Sequence, residues 1–311
     1  MTTIHDIARE SGYSAATVSR VLNHHKYVSP RVRAEVEAVI QRLNYVPNAV
    51  ARDLSRGSTQ TIGVVLPMLD HPYYTDLIAG IMKTAFTHHY RVVMLPSDYV
   101  RQVELDYLEQ LRRHAYDGLI FTSHNLPLAD LLRYQQFGPV VVCQDPGPLE
   151  LPAAFTDRGT SYLEAMRWIQ AQGATRVSLM LPRDPALSAT ASAMVAAFTA
   201  VFGHAPDPAD NWVGSMTNED GYAAGSFLAA RQPDFIFANG DDIAAGVRRY
   251  YLDHQRPVPP MMGQENQLSG QLMNIATIDH HFKRVGAAAL ELAIGVRQGQ
   301  VKIASDFIAR S

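Results

Sequence analysis

From Thr61 onward the sequence alternates short β-branched runs with stretches of helical periodicity. The runs are Thr61-Ile-Gly-Val-Val-Leu66, Arg91-Val-Val-Met-Leu95, Gly118-Leu-Ile-Phe121, Pro139-Val-Val-Val142, Arg176-Val-Ser-Leu-Met-Leu181 and Phe235-Ile-Phe237. Between the first two, Leu77, Ile78, Ile81, Met82, Ala85 and Phe86 recur at helical spacing, which predicts one apolar stripe. Strands that alternate with helices must be joined by crossovers, so the pattern predicts an α/β region built on a doubly wound parallel sheet. Ligands of such sheets sit beyond the carboxyl ends of the strands. No G-x-G-x-x-G fingerprint or phosphate-binding loop follows any of these runs, which argues against a nucleotide-dependent enzyme.

At 311 residues and 47% hydrophobic composition, the chain can bury a large core, with room for a short head before this body. Cys143 is its single cysteine, the usage expected of a reducing compartment. The first ten residues carry Asp6, Arg9 and Glu10, and no uninterrupted apolar run is long enough to span a bilayer. A cytoplasmic protein with no membrane partner is therefore expected. The net charge of −3 hides an asymmetry: residues 1–57 carry +3 and the remainder −6. That split directs the head, and not the body, toward phosphates.

Within the head, Ile4, Ile7 and Ala8 form an apolar face, and Gly12 can end the helix that carries them. Ser14 is suited to cap a second helix running to about Asn23, with Val18, Val21 and Leu22 inward and Ala15, Ala16, Ser19 and Arg20 outward. Ser29-Pro30 caps a third, in which Val32, Val36, Val39, Ile40 and Leu43 keep the period until Asn44 and Pro47 stop it. Two short helices about a Gly-containing turn, buttressed by a third, suit a helix-turn-helix; the same spacing also suits a small bundle with no role on DNA.

The stretches Thr3-Ile-His-Asp-Ile-Ala8, Ala16-Thr-Val-Ser-Arg-Val-Leu-Asn23, Val28-Ser-Pro30, Leu43-Asn-Tyr45 and Pro47-Asn-Ala-Val-Ala-Arg-Asp-Leu54 closely resemble the head of the LacI/GalR family. The resemblance implies that the second helix enters the major groove, with Ala15, Ala16 and Arg20 at base-reading positions. An arginine can grip guanine O6 and N7 bidentately, whereas an alanine can only meet a thymine methyl or permit close approach. The matching phosphate contacts fall to Ser14, Thr17, Ser19, Asn23 and Ser29, with Tyr27 near the groove edge. Residues 48–56, with Asn48 as cap and Ala51 within, match the family's hinge helix, and Leu54 matches the leucine that wedges into the central base step. Nine residues make no stable helix alone, so this segment is expected to fold only when something orders it. Leu54 as an anchor on the body is the alternative.

The body resembles the family's periplasmic-binding-protein-like domain over almost its whole length. The implied architecture is a three-helix helix-turn-helix head at residues 1–46 and a hinge helix with its linker at 47–60. A bilobed domain of two doubly wound parallel sheets then fills 61–311, its lobes joined by crossovers near Thr156-Asp157, Ile278-Asp279 and the last residues. The interlobe cleft would take a small-molecule effector, a sugar or sugar derivative, and the regulator would act as a homodimer on double-stranded operator DNA. Strand ends and matching pocket positions nominate Asp70, Tyr73, Tyr74, Asp145, Thr190, Phe237, Asn239 and Asp241 for the cleft.

Two departures stand against this match. Where family members commonly have a pocket arginine, this chain has Met194, and where Gly-Tyr-Asp is frequent it has Gly263-Gln-Glu265. The pocket then holds something more apolar, binds a sugar in another pose, or has lost its small ligand and answers to a protein partner. The adjacent pairs His24-His25, His88-His89 and His280-His281 lack the i, i+4 spacing of zinc ligands and read as solvated surface residues. Trp168 and Trp212 read as packing residues, and Asp241-Asp242 as acids opening a helix. No nucleophile, base and orienting acid assemble in the sequence, so neither catalysis nor a cofactor is implied. A sugar-binding protein or an enzyme using the α/β cleft stays as a further alternative.

Overall fold

A computed structural model describes residues 2–46, 53, 54, 56–68 and 72–310. The chain divides into two compact units, Met1–Gly57 and Ser58–Ser311.

In the first unit, the helix Ile4–Ser11 begins with a reciprocal cap: Thr3 Oγ1 accepts from the Asp6 amide, and the Asp6 carboxylate accepts from the Thr3 amide at 2.9 Å. Gly12 ends it at φ +73°, a left-handed conformation that favours glycine. Ser14 caps the helix Ala15–Leu22, its Oγ accepting from the Thr17 amide at 3.2 Å. Ser29 caps Pro30–Arg42, with the proline in the first turn. Ile7, Val18, Val21, Val36 and Val39 form a shared core between the three helices. A fully buried aliphatic side chain contributes about 1.5–3 kcal/mol, so these five residues do most of the holding. Of the expected hinge segment, Asp53, Leu54 and Arg56 are helical, while Asn48 and Ala51 lie outside the described residues.

The second unit contains two parallel sheets. β1 (Thr61–Leu66), β2 (Arg91–Pro96), β3 (Gly118–Phe121), β4 (Val140–Val142), β5 (Ala153–Thr156) and β11 (Gln300–Ile303) form the first, in the order β11-β5-β4-β3-β1-β2. β1 is buried along its whole length because both faces are covered, whereas β2 at the edge alternates between exposed and covered positions. β6 (Val177–Leu181), β7 (Trp212–Val213), β8 (Phe235–Phe237) and β9 (Met261–Met262) form the second, in the order β7-β6-β8-β9. β10 (Thr277–Asp279) and β12 (Asp306–Ile308) pair antiparallel. The chain passes between lobes after β5, after β10 and between β11 and β12, as expected.

The helix Pro72–Thr87 packs on the helix Phe282–Ala293 so closely that a Cβ at Gly286 would lie 2.0 Å from the Leu77 carbonyl oxygen, and one at Gly80 equally close to that of Lys283. This contact buries Leu77, Ile81 and Ala85, but not the whole predicted stripe: Met82 is 49% exposed and Phe86 85%. The stripe was wider than the face a single partner helix covers. Among the described residues, no helix is long and apolar enough to cross a membrane.

Candidate DNA-reading face and interlobe cleft

On the helix Ala15–Leu22, Ala16 and Arg20 are exposed, and Ala15, Thr17 and Ser19 are half-buried. Arg20 forms no ion pair among the described residues, whereas Arg9, Arg31 and Arg42 are engaged with Asp6, Glu35 and Glu10. The polar residues around it are held in register by short-range bonds. Ser14 Oγ also meets Thr17 Oγ1 at 3.0 Å, Asn23 Nδ2 donates to the Ser19 carbonyl at 2.9 Å, and Ser29 Oγ accepts from the Val32 amide. Tyr27 is 92% exposed. The face presents one exposed cation among small side chains, which suits close approach to a groove. Leu54 is 83% exposed.

In the body, residues of both lobes line one cavity of about 100 Å³. Tyr73 and Tyr74 reach it from the start of the helix Pro72–Thr87, Thr190 from the first turn of Ala189–Phe202, Asn239 from just beyond β8, and Glu265 from the segment after β9. The Tyr73 hydroxyl donates to the Thr122 carbonyl at 2.8 Å, and its ring meets Phe282 edge-on at 4.6 Å. The Tyr74 hydroxyl lies 3.2 Å from that of Tyr99, which in turn lies 3.1 Å from Ser123 Oγ. Burial holds both tyrosines well above the ordinary phenol range, so they act as neutral groups. Glu265 and Asn266 adopt φ +84° and +49°, two successive left-handed residues of a kind that costs energy and clusters at ligand sites. Burial, with Asp241 nearby, pushes the Glu265 carboxyl well above the usual range.

Other nominated residues stand elsewhere. Phe237 lies in the core of the second lobe, edge-on to Tyr162 at 6.0 Å, and Met194 is buried in the same core. Asp145 is exposed and accepts from the Gly147 amide at 2.8 Å in a local turn. Asp241 does open the helix Asp241–Asp253, yet its side chain is fully buried behind the cavity lining. It accepts from Thr277 Oγ1 at 2.8 Å and from the Gln267 amide at 2.7 Å, and burial raises its carboxyl to about 7. Asp70 lies outside the described residues.

The structure also corrects the reading of the histidine pairs. His280 is 1% exposed and lines the cavity. Gln264 Oε1 accepts from the Tyr162 hydroxyl at 2.8 Å and lies 2.9 Å from His280 Nε2. A carbonyl oxygen only accepts, so Nε2 carries the proton and Nδ1 accepts from Ser305 Oγ at 3.0 Å. Burial pushes His280 well below the ordinary histidine range, with Arg158 adding to the effect, so it is a neutral donor. His281 is half-buried and bridges the crossovers, with Nε2 2.8 Å from Asp306 and Nδ1 3.2 Å from Asp279.

Sequence reasoning also missed Arg158, Arg183, Gln264 and Tyr99 in the lining. The signal was available, because Arg158 directly follows the first crossover and Arg183 stands two residues beyond β6. Although Met194 is buried in the lobe core, the cavity is therefore not short of cations. Cys143 also faces it, but burial raises its thiol to about 12 and leaves it unreactive.

Comparison with known proteins agrees with both units. Residues 3–48 match the bacterial regulatory proteins of the lacI family, and residues 59–263 match the periplasmic binding proteins and sugar binding domain of the LacI family. Catabolite control protein B of Bacillus subtilis (strain 168) is 36% identical over 309 residues, covering 99% of each chain. A lac repressor dimer bound to operator and the anti-inducer ONPF superimposes with a TM-score of 0.81 at 20% identity, over 99% of this chain and 98% of that one. A LacI family regulator from Lactobacillus casei with bound sucrose gives 0.71 at 21% identity, over 81% and 98%. The matched head, the matched two-lobed body and the full-length relative place the chain among the DNA-binding transcriptional regulators of the LacI family.

Proposed function

We propose that this regulator represses carbohydrate-utilisation genes from the cytoplasm, as a homodimer whose heads occupy the two halves of a pseudopalindromic operator. Arg20 reads a guanine in each half-site, beside the small Ala15 and Ala16. Ser14, Thr17, Ser19, Asn23 and Ser29 fix the phosphate register, with Tyr27 at the groove edge. The hinge segment, with Asn48, Ala51 and Leu54, bends the centre of the site, where a deformable pyrimidine-purine step favours the leucine wedge. A sugar or sugar derivative in the cleft meets Tyr73, Tyr74, Thr190, Asn239 and Glu265 and changes operator affinity by favouring one angle between the lobes.

The observation that carries this reading is Arg20, exposed and without an ion pair among the described residues, on the outer face of a helix whose opposite face is core. The name of the full-length relative, a catabolite control protein, and the sucrose held by a regulator of the same fold support the carbohydrate setting. Met82 and Phe86 offer apolar surface of the kind that a dimer covers. Selection of bound fragments from a random DNA pool tests the reading. A pseudopalindrome with a flexible central step, blurred by Arg20→Ala, is the expected result; absence of any enriched sequence would overturn it.

A further inference from the structure

Two arginines, Arg158 and Arg183, face the cavity. Arg158 and Arg183 form no ion pair among the described residues, and Arg158 Nε is buried without a hydrogen-bond partner. The Arg158 guanidinium lies 5.8 Å from the centre of the Phe282 ring, and that of Arg183 lies 4.0 Å from the centre of the Tyr99 ring. Arg183 rests on an aromatic face, which orients a guanidinium while leaving its N–H edge open, and Arg158 stands near one while also meeting the Tyr162 hydroxyl.

Arg158 is also badly placed for the fold. It is the first residue of the helix Arg158–Ala171, where a positive charge opposes the helix dipole. The adjacent Asp157 does not relieve it, because that carboxylate is bound by Lys302 at 3.0 Å and by Thr160 Oγ1 at 3.0 Å. Glu104, the acid in the field of Arg183, is occupied by the amides of Asn125 and Leu126 at 2.9–3.0 Å. Glu265 accepts from Gln267 Nε2 at 2.9 Å, and burial raises its carboxyl while Arg158 opposes that rise without forming an ion pair among the described residues. A partly enclosed cation without an anion is unfavourable, and local conflict of this kind marks functional positions.

We infer that the effector of the cleft carries an anionic group, a phosphate or a carboxylate, on a sugar-sized polyol, and that Arg158 selects for it with Arg183 as the second cation. The inference rests on the effector reading above and names its ligand class. Asn239, Thr190 and the neutral His280 remain for hydroxyls, so the lining divides into a charged part and an uncharged hydrogen-bonding part. The space of about 100 Å³ opens to solvent, so a sugar can enter from that side and the lobes can tighten on it. Closure around the anion would then be the step that links the ligand to lobe angle.

Calorimetric titration of the full-length chain with glucose 6-phosphate, glucuronate, glucose and inorganic phosphate tests this, using wild type, Arg158→Gln, Arg158→Lys and Arg183→Gln. At least one charged sugar should bind more tightly than glucose by about tenfold or more, and more weakly as ionic strength rises. Arg158→Gln should weaken that probe by roughly 10- to 100-fold, and Arg158→Lys by less. A preference for glucose 6-phosphate over glucuronate identifies the group as phosphate, and the reverse as carboxylate. Should Arg158→Gln fail to fold, the ionic-strength dependence of the wild type and the Lys variant decide. Glucose binding as tightly as the charged sugars, undiminished binding in the Arg158 variants, or no binding by either charged sugar would overturn the inference. Operator selection by the same wild-type sample separates the readings, since selection retained without anion binding removes only the ligand class.

Discussion

The head and the cleft carry function in opposite ways. In the head, the apolar residues that hold the fold (Ile7, Val18, Val21, Val36 and Val39) differ from those proposed to read bases or meet the groove edge (Ala16, Arg20 and Tyr27), although the proposed phosphate contacts Ser14 and Ser29 also cap helices. In the cleft the same side chains do both. Tyr73 ties the first helix of the body to Thr122, and His280 ties a crossover to Gln264 and Ser305 while facing the cavity. Arg20 and its exposed neighbours can therefore change at little cost to stability, whereas altering Tyr73 or His280 also removes a bond that holds the fold.

The largest test of this contrast concerns Asp241, the buried acid behind the cleft. Its folded pKa, about 7, stands above the ordinary 3.8. The stability it contributes is thus fully present below about pH 4 and is lost as pH rises toward 7. Asp241→Asn should remove this dependence, so that the difference in unfolding free energy between mutant and wild type shifts by roughly 2–4 kcal/mol across that window. Denaturant unfolding at a series of pH values measures it, and parallel curves for the two proteins would place the acid in contact with water. Next comes Gly286→Leu, which drives a side chain into the backbone of the neighbouring helix and should cost about 1–3 kcal/mol of body stability while leaving the head's unfolding unchanged. Ser14→Ala removes a cap at the entrance of the reading helix and should cost the head about 1 kcal/mol by thermal unfolding. The smallest expected change is the one that most sharpens the contrast: Arg20→Ala should alter head stability by less than about 0.5 kcal/mol. A larger loss would give Arg20 a structural role and end the separation of faces.

The sequence was most readable where local chemistry sets the outcome. Gly12, Ser14 and Ser29-Pro30 end or start helices through their own backbone preferences and side-chain oxygens, so the head's helices could be placed before any tertiary contact was known. The central strands were readable because β1, β3 and β4 are continuous apolar runs buried on both faces. β5, Ala153–Thr156, and β9, Met261–Met262, were not, since Ala-Ala and Met-Met lack the β-branched side chains that mark a strand and depend on their neighbours for the ladder. The cleft was half-readable for a related reason. Strand ends point to the right neighbourhood, but Phe237, still within β8, turns into the lobe core, whereas Asn239, past the strand's end, reaches the cavity. The burial of His280 is not legible locally, because it depends on Gln264 and Ser305, which nothing in the neighbouring sequence brings beside it.

The central claim, that this family member reads DNA through Arg20, is tested most directly by a base-by-base affinity map. Each position of the selected operator is changed in turn, and the dissociation constants of wild type and Arg20→Ala are compared at fixed salt. The account predicts that the mutant loses about 1–3 kcal/mol of discrimination at one position in each half-site and keeps the rest. Discrimination undiminished at every position, or a uniform loss across all of them, would contradict it.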